Sequence, residues 1–339
     1  MIEETVFKSN KEIKNFISSY YGIKINNIKK INRGSANIYM LDDKYVLKEF
    51  QSKYDKEQVD LEVTVINHLK SKKIKVPKYI KTVNNEYSVL YKQKTIIIQK
   101  KIDGYTLDNN EGNYNQTIEC ARIYGKLVNA LKDLPISLNS GNIEDWYSKE
   151  KFEKGIKEHQ ELLSLLSNND DIDVRIREDL MKKIEIIKNV KKIDYSEMKN
   201  LTIMNTHGDY NVSQFIYKND KINAIIDFVS ACKMPVAWEL IRSYSYIDKD
   251  AKDGTFNLDT FTKFIKEFNK YVKLNKYDIR NICNIYLVQI LNSTFGYKQY
   301  VKNHNSKDLL EFAFFRTKLC IYLYNYSNLI QKRLEEELW

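Results

Sequence analysis

Two short segments, His207-Gly208-Asp209 and Ile225-Ile226-Asp227-Phe228, decide the fold of this chain of 339 residues. The stretch after Asp209 is polar and turn-rich, and it runs into the apolar residues 215–217. A turn at 218–221 then leads to a second apolar run that ends at Asp227. Two short apolar runs around a four-residue turn are typical of a β-hairpin. The pattern therefore predicts that the loop, the hairpin and the terminal acid bring Asp209 and Asp227 near each other.

A pair of carboxylates of this kind suits phosphoryl transfer. One carboxylate orients the attacking hydroxyl, and another holds Mg²⁺ on the phosphates of ATP. Alone, His-Gly-Asp commonly marks a turn, and Ile-Ile-Asp-Phe is mostly an ordinary buried strand that ends in an acid. When the two segments occur in this order and at the spacing of a hairpin, they indicate a phosphoryl-transfer site much more specifically than either does alone.

The segment resembles the catalytic centre of the aminoglycoside phosphotransferase and choline kinase family, whose members are relatives of protein kinases. The resemblance implies that Asp209 is the catalytic base and Asp227 the metal-binding acid. The family has Asn five residues after the catalytic Asp, and that position here is Gln214. Gln carries the same amide oxygen on one more methylene, so the resemblance implies a second Mg²⁺ ligand there. Asn211 is closer in type but lies three residues early.

Three upstream features fit the same resemblance. The segment 32–37, with Gly34 and Ser35, lies where the family has its nucleotide-covering loop, although a simple hairpin turn explains it equally well in isolation. Lys48 stands at the end of an apolar strand, where a kinase lysine contacts the α- and β-phosphates. Glu62 follows fourteen residues later inside a helical pattern, and we expect it to pair with Lys48.

The third feature is the apolar run from residue 95 that becomes polar and reaches Gly104. The family's interlobe hinge has this appearance, and its backbone N–H and C=O groups bind the adenine edge. The resemblance therefore implies that four residues contact the nucleotide: Gln99, Lys100, Lys101 and Ile102.

Hydrophobic periodicity predicts an α+β fold, and the resemblance implies that it is of the bilobal protein-kinase-like type. Short apolar or alternating runs, including one at Lys78–Val83, predict a small N-terminal antiparallel β lobe with one main helix at Glu57–Lys70. Beyond residue 104 the pattern becomes mostly helical. We expect an N-terminal nucleotide-binding lobe over residues 1–101. A larger, mostly helical lobe over 102–339 would hold the catalytic and acceptor-binding residues.

Composition narrows the class of protein. Residues 1–100 carry 20 Lys+Arg against 11 Asp+Glu, whereas the remainder carries 35 against 34. The lysines are dispersed and form no recognised nucleic-acid motif, so a solvated basic surface is the simpler reading. No apolar run reaches the ~18 residues of a membrane span, and the four cysteines have no metal-binding spacing. We expect a cytoplasmic protein with neither a nucleic-acid nor a membrane partner.

The predicted function is ATP- and Mg²⁺-dependent transfer of the γ-phosphate to a hydroxyl of a small molecule, such as an aminoglycoside, an amino alcohol or a sugar-like compound. Two alternatives remain open, a nucleotide-binding pseudokinase and a spore-coat-type relative with an interaction role. A protein kinase is disfavoured because the span from Asp227 to Pro235 is too short for an activation loop. The sequence identifies neither the acceptor nor the oligomeric state.

Overall fold

The computed structural model of the protein describes residues 3–31, 34, 36–167 and 170–339. Its strands are β1 (Ile28–Ile31), β2 (Asn37–Leu41), β3 (Tyr45–Glu49), β4 (Ser88–Tyr91), β5 (Lys94–Lys100), β6 (Ile203–Thr206), β7 (Phe215–Lys218), β8 (Lys221–Ile225) and β9 (Cys232–Pro235). Its α-helices are α1 (Asn10–Tyr21), α2 (Lys56–Ser71), α3 (Tyr114–Ala130), α4 (Lys149–Leu163), α5 (Asp171–Val190), α6 (Val236–Ile247), α7 (Leu258–Asn269), α8 (Lys276–Leu291), α9 (Tyr297–Lys302) and α10 (Lys307–Leu338). The predicted α+β class, an antiparallel sheet followed by a mostly helical remainder, is confirmed.

The chain forms two compact units. The first contains residues 1–106, 130–137 and 214–231, and the second contains residues 107–129, 138–213 and 232–339. Both units are thus discontinuous along the sequence. The expected division into lobes 1–101 and 102–339 has one boundary, and it stays a prediction.

The first unit is built on a five-stranded antiparallel sheet with the order β1-β2-β3-β5-β4. The strand expected at Lys78–Val83 is not formed. Its backbone pairs with β5 only at the single bridge between Tyr79 and Gln99, because β4 occupies the same edge of β5 from Lys94 to Ile97.

Helix α1 covers one face of this sheet. Ser9 caps its first turn by accepting from the Glu12 N–H, and Gly22 ends it at φ 64°. The buried cluster between helix and sheet contains Phe16 and Ile17 from α1 and Leu47 from β3. Successive side chains on a strand point to opposite faces, so the residue after Leu47, Lys48, points away from α1.

The second unit is mostly helical. Helix α8 packs against α6 and α10, and Asn275 and Asp278 form a capping box at its start. Two short strands, β6 and β9, pair antiparallel on either side of the segment from Thr206 to Cys232. Within the described residues, no helix has the length and apolarity needed to cross a bilayer.

Candidate active site

Lys48 and Asp227 form an ion pair in the first unit. Lys48 Nζ lies 2.5 Å from Asp227 Oδ1, although the two residues are 179 positions apart in the sequence. Their side chains are 12% and 31% exposed, so the carboxylate is the more accessible partner. The pair therefore connects the central sheet to the end of the β7–β8 hairpin.

Asp227 follows β8 in the left-handed backbone region, at φ 66° and ψ 63°. This region costs an L-residue other than Gly roughly 1 kcal/mol or more, so the surrounding structure must hold it there. The next residue, Phe228, is 1% exposed and donates its backbone N–H to Glu62 Oε1 at 2.9 Å. Helix α2 thus fixes the backbone that aims the Asp227 side chain.

Glu62 is buried, and its Oε1 also accepts from the Tyr79 hydroxyl at 2.9 Å. The expected direct ion pair with Lys48 is not formed, because the Lys48 ammonium lies against the Asp227 carboxylate instead. Burial lowers the pKa of the Lys48 ammonium, but the charges of Asp227 and Glu62 outweigh burial and raise that pKa overall. Burial raises the pKa of the Glu62 carboxyl, and the Lys48 charge opposes that increase. One cation is therefore shared electrostatically by two carboxylates.

Gln214 is joined to the same segment through its backbone. Its carbonyl oxygen accepts from the Ile226 N–H at 2.9 Å, one residue before Asp227. A carboxylate and an amide oxygen are hard donors that suit Mg²⁺, which is usually bound by one or two carboxylates together with substrate phosphates. Among the described residues, no group of three or more His, Cys, Asp or Glu could hold a metal ion. The donor set thus fits a nucleotide-associated Mg²⁺ better than an all-protein metal cage.

The expected nucleotide-covering loop is described only at Gly34. This residue has φ 82°, and no atom lies within 4 Å of the position a Cβ would take, so its glycine is required by the backbone and not by packing. Ser35 lies outside the described residues. Contact of either residue with phosphate stays a prediction.

The predicted hinge begins in β5 and continues beyond its end. Lys100 donates its backbone N–H to the Lys78 carbonyl, and Lys101 donates its own to the Lys44 carbonyl, at 2.8 and 2.9 Å. These two N–H groups are therefore used within the protein. Gln99 and Ile102 are half-buried, and adenine contact by the segment stays a prediction.

Gly104 allows this segment to reach the hairpin that leads to Asp227. It has φ 144°, and a Cβ at this position would lie 2.2 Å from the Tyr217 carbonyl oxygen. The next residue, Tyr105, exchanges two backbone hydrogen bonds with Tyr217, at 2.9 and 2.7 Å. Glycine is therefore required for the close approach of the two segments.

Asp209 lies in the second unit, and Arg242 of α6 holds its carboxylate. Arg242 Nη2 lies 2.5 Å from Asp209 Oδ1, and the Asn211 side-chain amide donates to the same oxygen at 3.1 Å. The Arg242 guanidinium lies 5.7 Å from the Trp238 ring and 5.4 Å from the Tyr246 ring. Two aromatic neighbours and an amide thus fix the direction of the Asp209 carboxylate.

Glu239 braces the loop that carries Asp209. Its two carboxylate oxygens accept from the backbone N–H groups of His207 and Tyr210, at 3.2 and 2.9 Å. The residue is fully buried, and burial raises the pKa of its carboxyl. The role of Glu239 is therefore structural.

Two further residues, Tyr79 and Arg242, hold carboxylates of the candidate site in place. Tyr79 was assigned only to a strand, yet its hydroxyl donates to Glu62. Arg242 contacts Asp209 itself. The spacing of Trp238, Arg242 and Tyr246, each four residues apart in a helix, was the available signal, since such residues share one face.

An antiparallel five-stranded sheet followed by a mostly helical remainder is the arrangement of the protein-kinase-like fold. The profile of the phosphotransferase enzyme family (APH) matches residues 27–263, and the chain belongs to that family. The predicted resemblance is confirmed. A search of curated protein sequences gave no significant match.

Solved structures show the same fold at low sequence identity. Spectinomycin phosphotransferase APH(9)-Ia, in complex with ADP and spectinomycin, has a TM-score of 0.66 at 15% identity and covers 94% of this chain and 98% of its own. A microcompartment-associated aminopropanol kinase has a TM-score of 0.64 at 11% identity, with coverage of 96% and 100%. Amicoumacin kinase hAmiN, in complex with AMP-PNP and Ca²⁺, has a TM-score of 0.58 at 13% identity, with coverage of 95% and 93%.

Proposed function

We propose that this protein transfers the γ-phosphate of ATP to a hydroxyl group of a small-molecule acceptor. The observation that carries the proposal is the convergence of Lys48, Glu62 and Asp227, contributed by β3, α2 and the end of the β7–β8 hairpin. Here a half-buried lysine lies among a buried carboxylate and a partly exposed one, and the partly exposed one lies at a strained backbone position. Such strain and shifted pKa values are concentrated at functional sites.

On the nucleotide side, Lys48 binds the phosphates as a fixed positive charge, and Glu62 keeps the lysine in position through their mutual attraction. Asp227 would hold the metal ion, with Gln214 as a second, weaker ligand. The bound Mg²⁺ supplies neutralisation of the phosphate charge that develops during transfer. Gly34, Ser35 and residues 99–102 complete the nucleotide contacts in this proposal.

On the acceptor side, Asp209 orients the acceptor hydroxyl and receives its proton. The acceptor oxygen forms a bond to the γ-phosphorus while the bond from that phosphorus to the β–γ bridging oxygen breaks, and ADP leaves. Arg242 and Asn211 keep the Asp209 carboxylate in one orientation. This matters because the reaction rate falls steeply when a catalytic group is misplaced.

Two measurements test the proposal. Nucleotide binding to the native state raises the melting temperature by linkage, so ATP with Mg²⁺ should stabilise the protein. GTP is tested in parallel, because related folds have been solved with ADP and with GDP. A panel of aminoglycosides, amino alcohols, sugars and hydroxy acids is then assayed for ATP-dependent phosphorylation. Absence of any nucleotide-dependent shift contradicts the proposal. A shift without phosphorylation of any compound, and without hydrolysis, favours a pseudokinase.

A further inference from the structure

A cavity of about 400 Å³ in the second unit has two lysine side chains in its lining. Its charged lining residues are Lys151, Glu158 and Lys298, and its apolar wall includes Trp146 and Phe295. Phe295 is 42% exposed although it is a large apolar side chain. Cavities that combine aromatic walls with a few polar groups commonly bind small molecules.

Among the described residues, Lys151 of α4 has no acidic partner. The other three lysines of this helix each lie 3.8 to 3.9 Å from a Glu four residues later: Lys149, Lys154 and Lys157. The residue four positions after Lys151 is Gly155, where a Cβ would lie 2.3 Å from Asn292 Oδ1 of the adjoining segment. The close approach of α4 to that segment thus requires glycine where Lys151 would otherwise find its partner.

The net charge of the lining is positive. Glu158 is already paired with Lys154 at 3.9 Å. Over residues 3–31, 34, 36–167 and 170–339, neither Lys151 nor Lys298 forms an ion pair. Two uncompensated ammonium groups therefore border the cavity.

Two more cations lie behind the lining residue Ser293. Lys183 is 2% exposed and donates to the Ser293 carbonyl at 2.5 Å. The Arg316 guanidinium approaches the Ser293 hydroxyl at 3.5 Å, and within the described part of the chain it has no carboxylate partner. Carbonyls at the end of α8 supply only partial negative charge. A full negative charge in the cavity would offset cations that are costly to bury alone.

Packed side chains connect the wall of this cavity to Asp209. Trp146 of the cavity wall and Trp238 of α6 have ring centroids 5.6 Å apart. The Arg242 guanidinium lies 5.7 Å from the Trp238 ring and is paired with Asp209. The wall of the cavity thus belongs to the same set of packed side chains that holds the Asp209 carboxylate.

We infer that this cavity binds an anionic group, a carboxylate or a phosphate, of an acceptor that also carries an apolar or ring-shaped body. The inference rests on the proposed phosphotransfer, and it names the class of acceptor: a hydroxylated anion and not a polycation. Lys151 and Lys298 are specificity-determining residues, and Trp146 and Phe295 hold the apolar body.

The test uses small probes in the presence of saturating ADP and Mg²⁺, so that the nucleotide site is blocked. Phenylphosphonate and phenylacetate present a phosphate-like and a carboxylate anion on the same ring, whereas benzyl alcohol is neutral and benzylamine is cationic. Calorimetry should show that at least one anion binds about tenfold more tightly than the neutral and cationic probes, the scale of one charge contact near a surface. Comparison of the two anions then distinguishes phosphate from carboxylate.

Matched variants locate the anion. Lys151→Glu/Lys298→Glu should weaken anion binding at least about tenfold, and Lys149→Glu/Lys157→Glu, which changes the net charge equally, should leave it within about twofold. Lys151→Gln/Lys298→Gln checks the result without reversing charge. Equal weakening in the control pair, no anion binding, or a preference for benzylamine overturns the inference. ADP binding is measured in the same series, and its complete absence contradicts the proposed function instead.

Discussion

Arg242 of α6 and Asp209 of the candidate catalytic loop form an ion pair, with Nη2 2.5 Å from Oδ1. Arg242 acts through Asp209, so its removal should free the carboxylate without touching the nucleotide. We expect Arg242→Met to lower kcat about 10- to 100-fold while KM for ATP changes less than threefold, and Arg242→Lys to recover part of the loss. Steady-state kinetics checks this, with slow ATP hydrolysis as the readout until an acceptor is found. A variant with unchanged kcat refutes the positioning role.

Asp209→Asn separates an enzyme from a binding module. The amide keeps the shape of the side chain but accepts a proton poorly, so turnover should fall roughly 10²-fold or more, the scale of general-base catalysis. ATP affinity, measured by calorimetry, should stay nearly constant. If wild type and variant hydrolyse ATP at the same rate and no acceptor is found, the nucleotide-sensing alternative is preferred.

Asp227→Ala should abolish Mg²⁺-dependent nucleotide binding, because it removes the anionic oxygen ligand and leaves Lys48 without its ion-pair partner. Titration of ATP with and without Mg²⁺ measures the effect. Asp220→Ala, in the exposed turn of the same hairpin, is the matched control and should bind as wild type does. Equal binding by both variants would show that Asp227 is not the metal ligand.

Gln214→Asn tests the position at which this chain differs from its family. Asn offers the same amide oxygen on a shorter side chain, so we expect nucleotide binding and turnover to be preserved or improved. The measurement is the Mg²⁺ dependence of both quantities. An inactive Gln214→Asn together with an active Asp227→Ala would mean that the two metal positions have been assigned in the wrong register.

Lys183 should make stability depend on pH in the alkaline range. Burial lowers the pKa of its ammonium to about 8 from 10.5. Between these values the unfolded state binds more protons than the folded state, so the contribution of Lys183 to the unfolding free energy rises with pH and is lost as pH falls through about 8. The wild-type unfolding free energy minus that of Lys183→Met should grow by on the order of 3 kcal/mol across this window.

Denaturant titrations at several pH values measure this difference, in which the titration of other groups cancels. Lys182→Met, an exposed neighbour on the same helix, should give a difference that does not change with pH. A flat difference for Lys183→Met would show that its ammonium is not destabilised by burial.

Much of the fold followed from periodicity, and the exceptions have local causes. Helix α2 was predicted at Glu57–Lys70 and spans Lys56–Ser71, because its apolar spacing is regular and the Asp55 cap fixes where it begins. The strand predicted at Lys78–Val83 is not formed. A strand there would need a free edge of β5, and β4 occupies most of that edge.

The pairing of the candidate site residues was not predictable from the sequence. The family resemblance selected Lys48 and Glu62, yet their charges are arranged around Asp227, which lies far away in the sequence. A single sequence contains no distance information at that separation. The role of Arg242 depends equally on where α6 meets the loop of Asp209, which helical periodicity alone does not specify.

The discontinuity of the first unit has a consequence for synthesis on the ribosome. Its sheet is complete by residue 100, but the segment 214–231, which contributes Asp227 and the backbone partner of Glu62, is made more than a hundred residues later. Until then Lys48 and Glu62 face no native partner from the hairpin. Contacts between distant parts of a chain form slowly because a long loop must close first. A nascent chain halted before residue 227 therefore carries a sheet without the acid that we propose binds the metal.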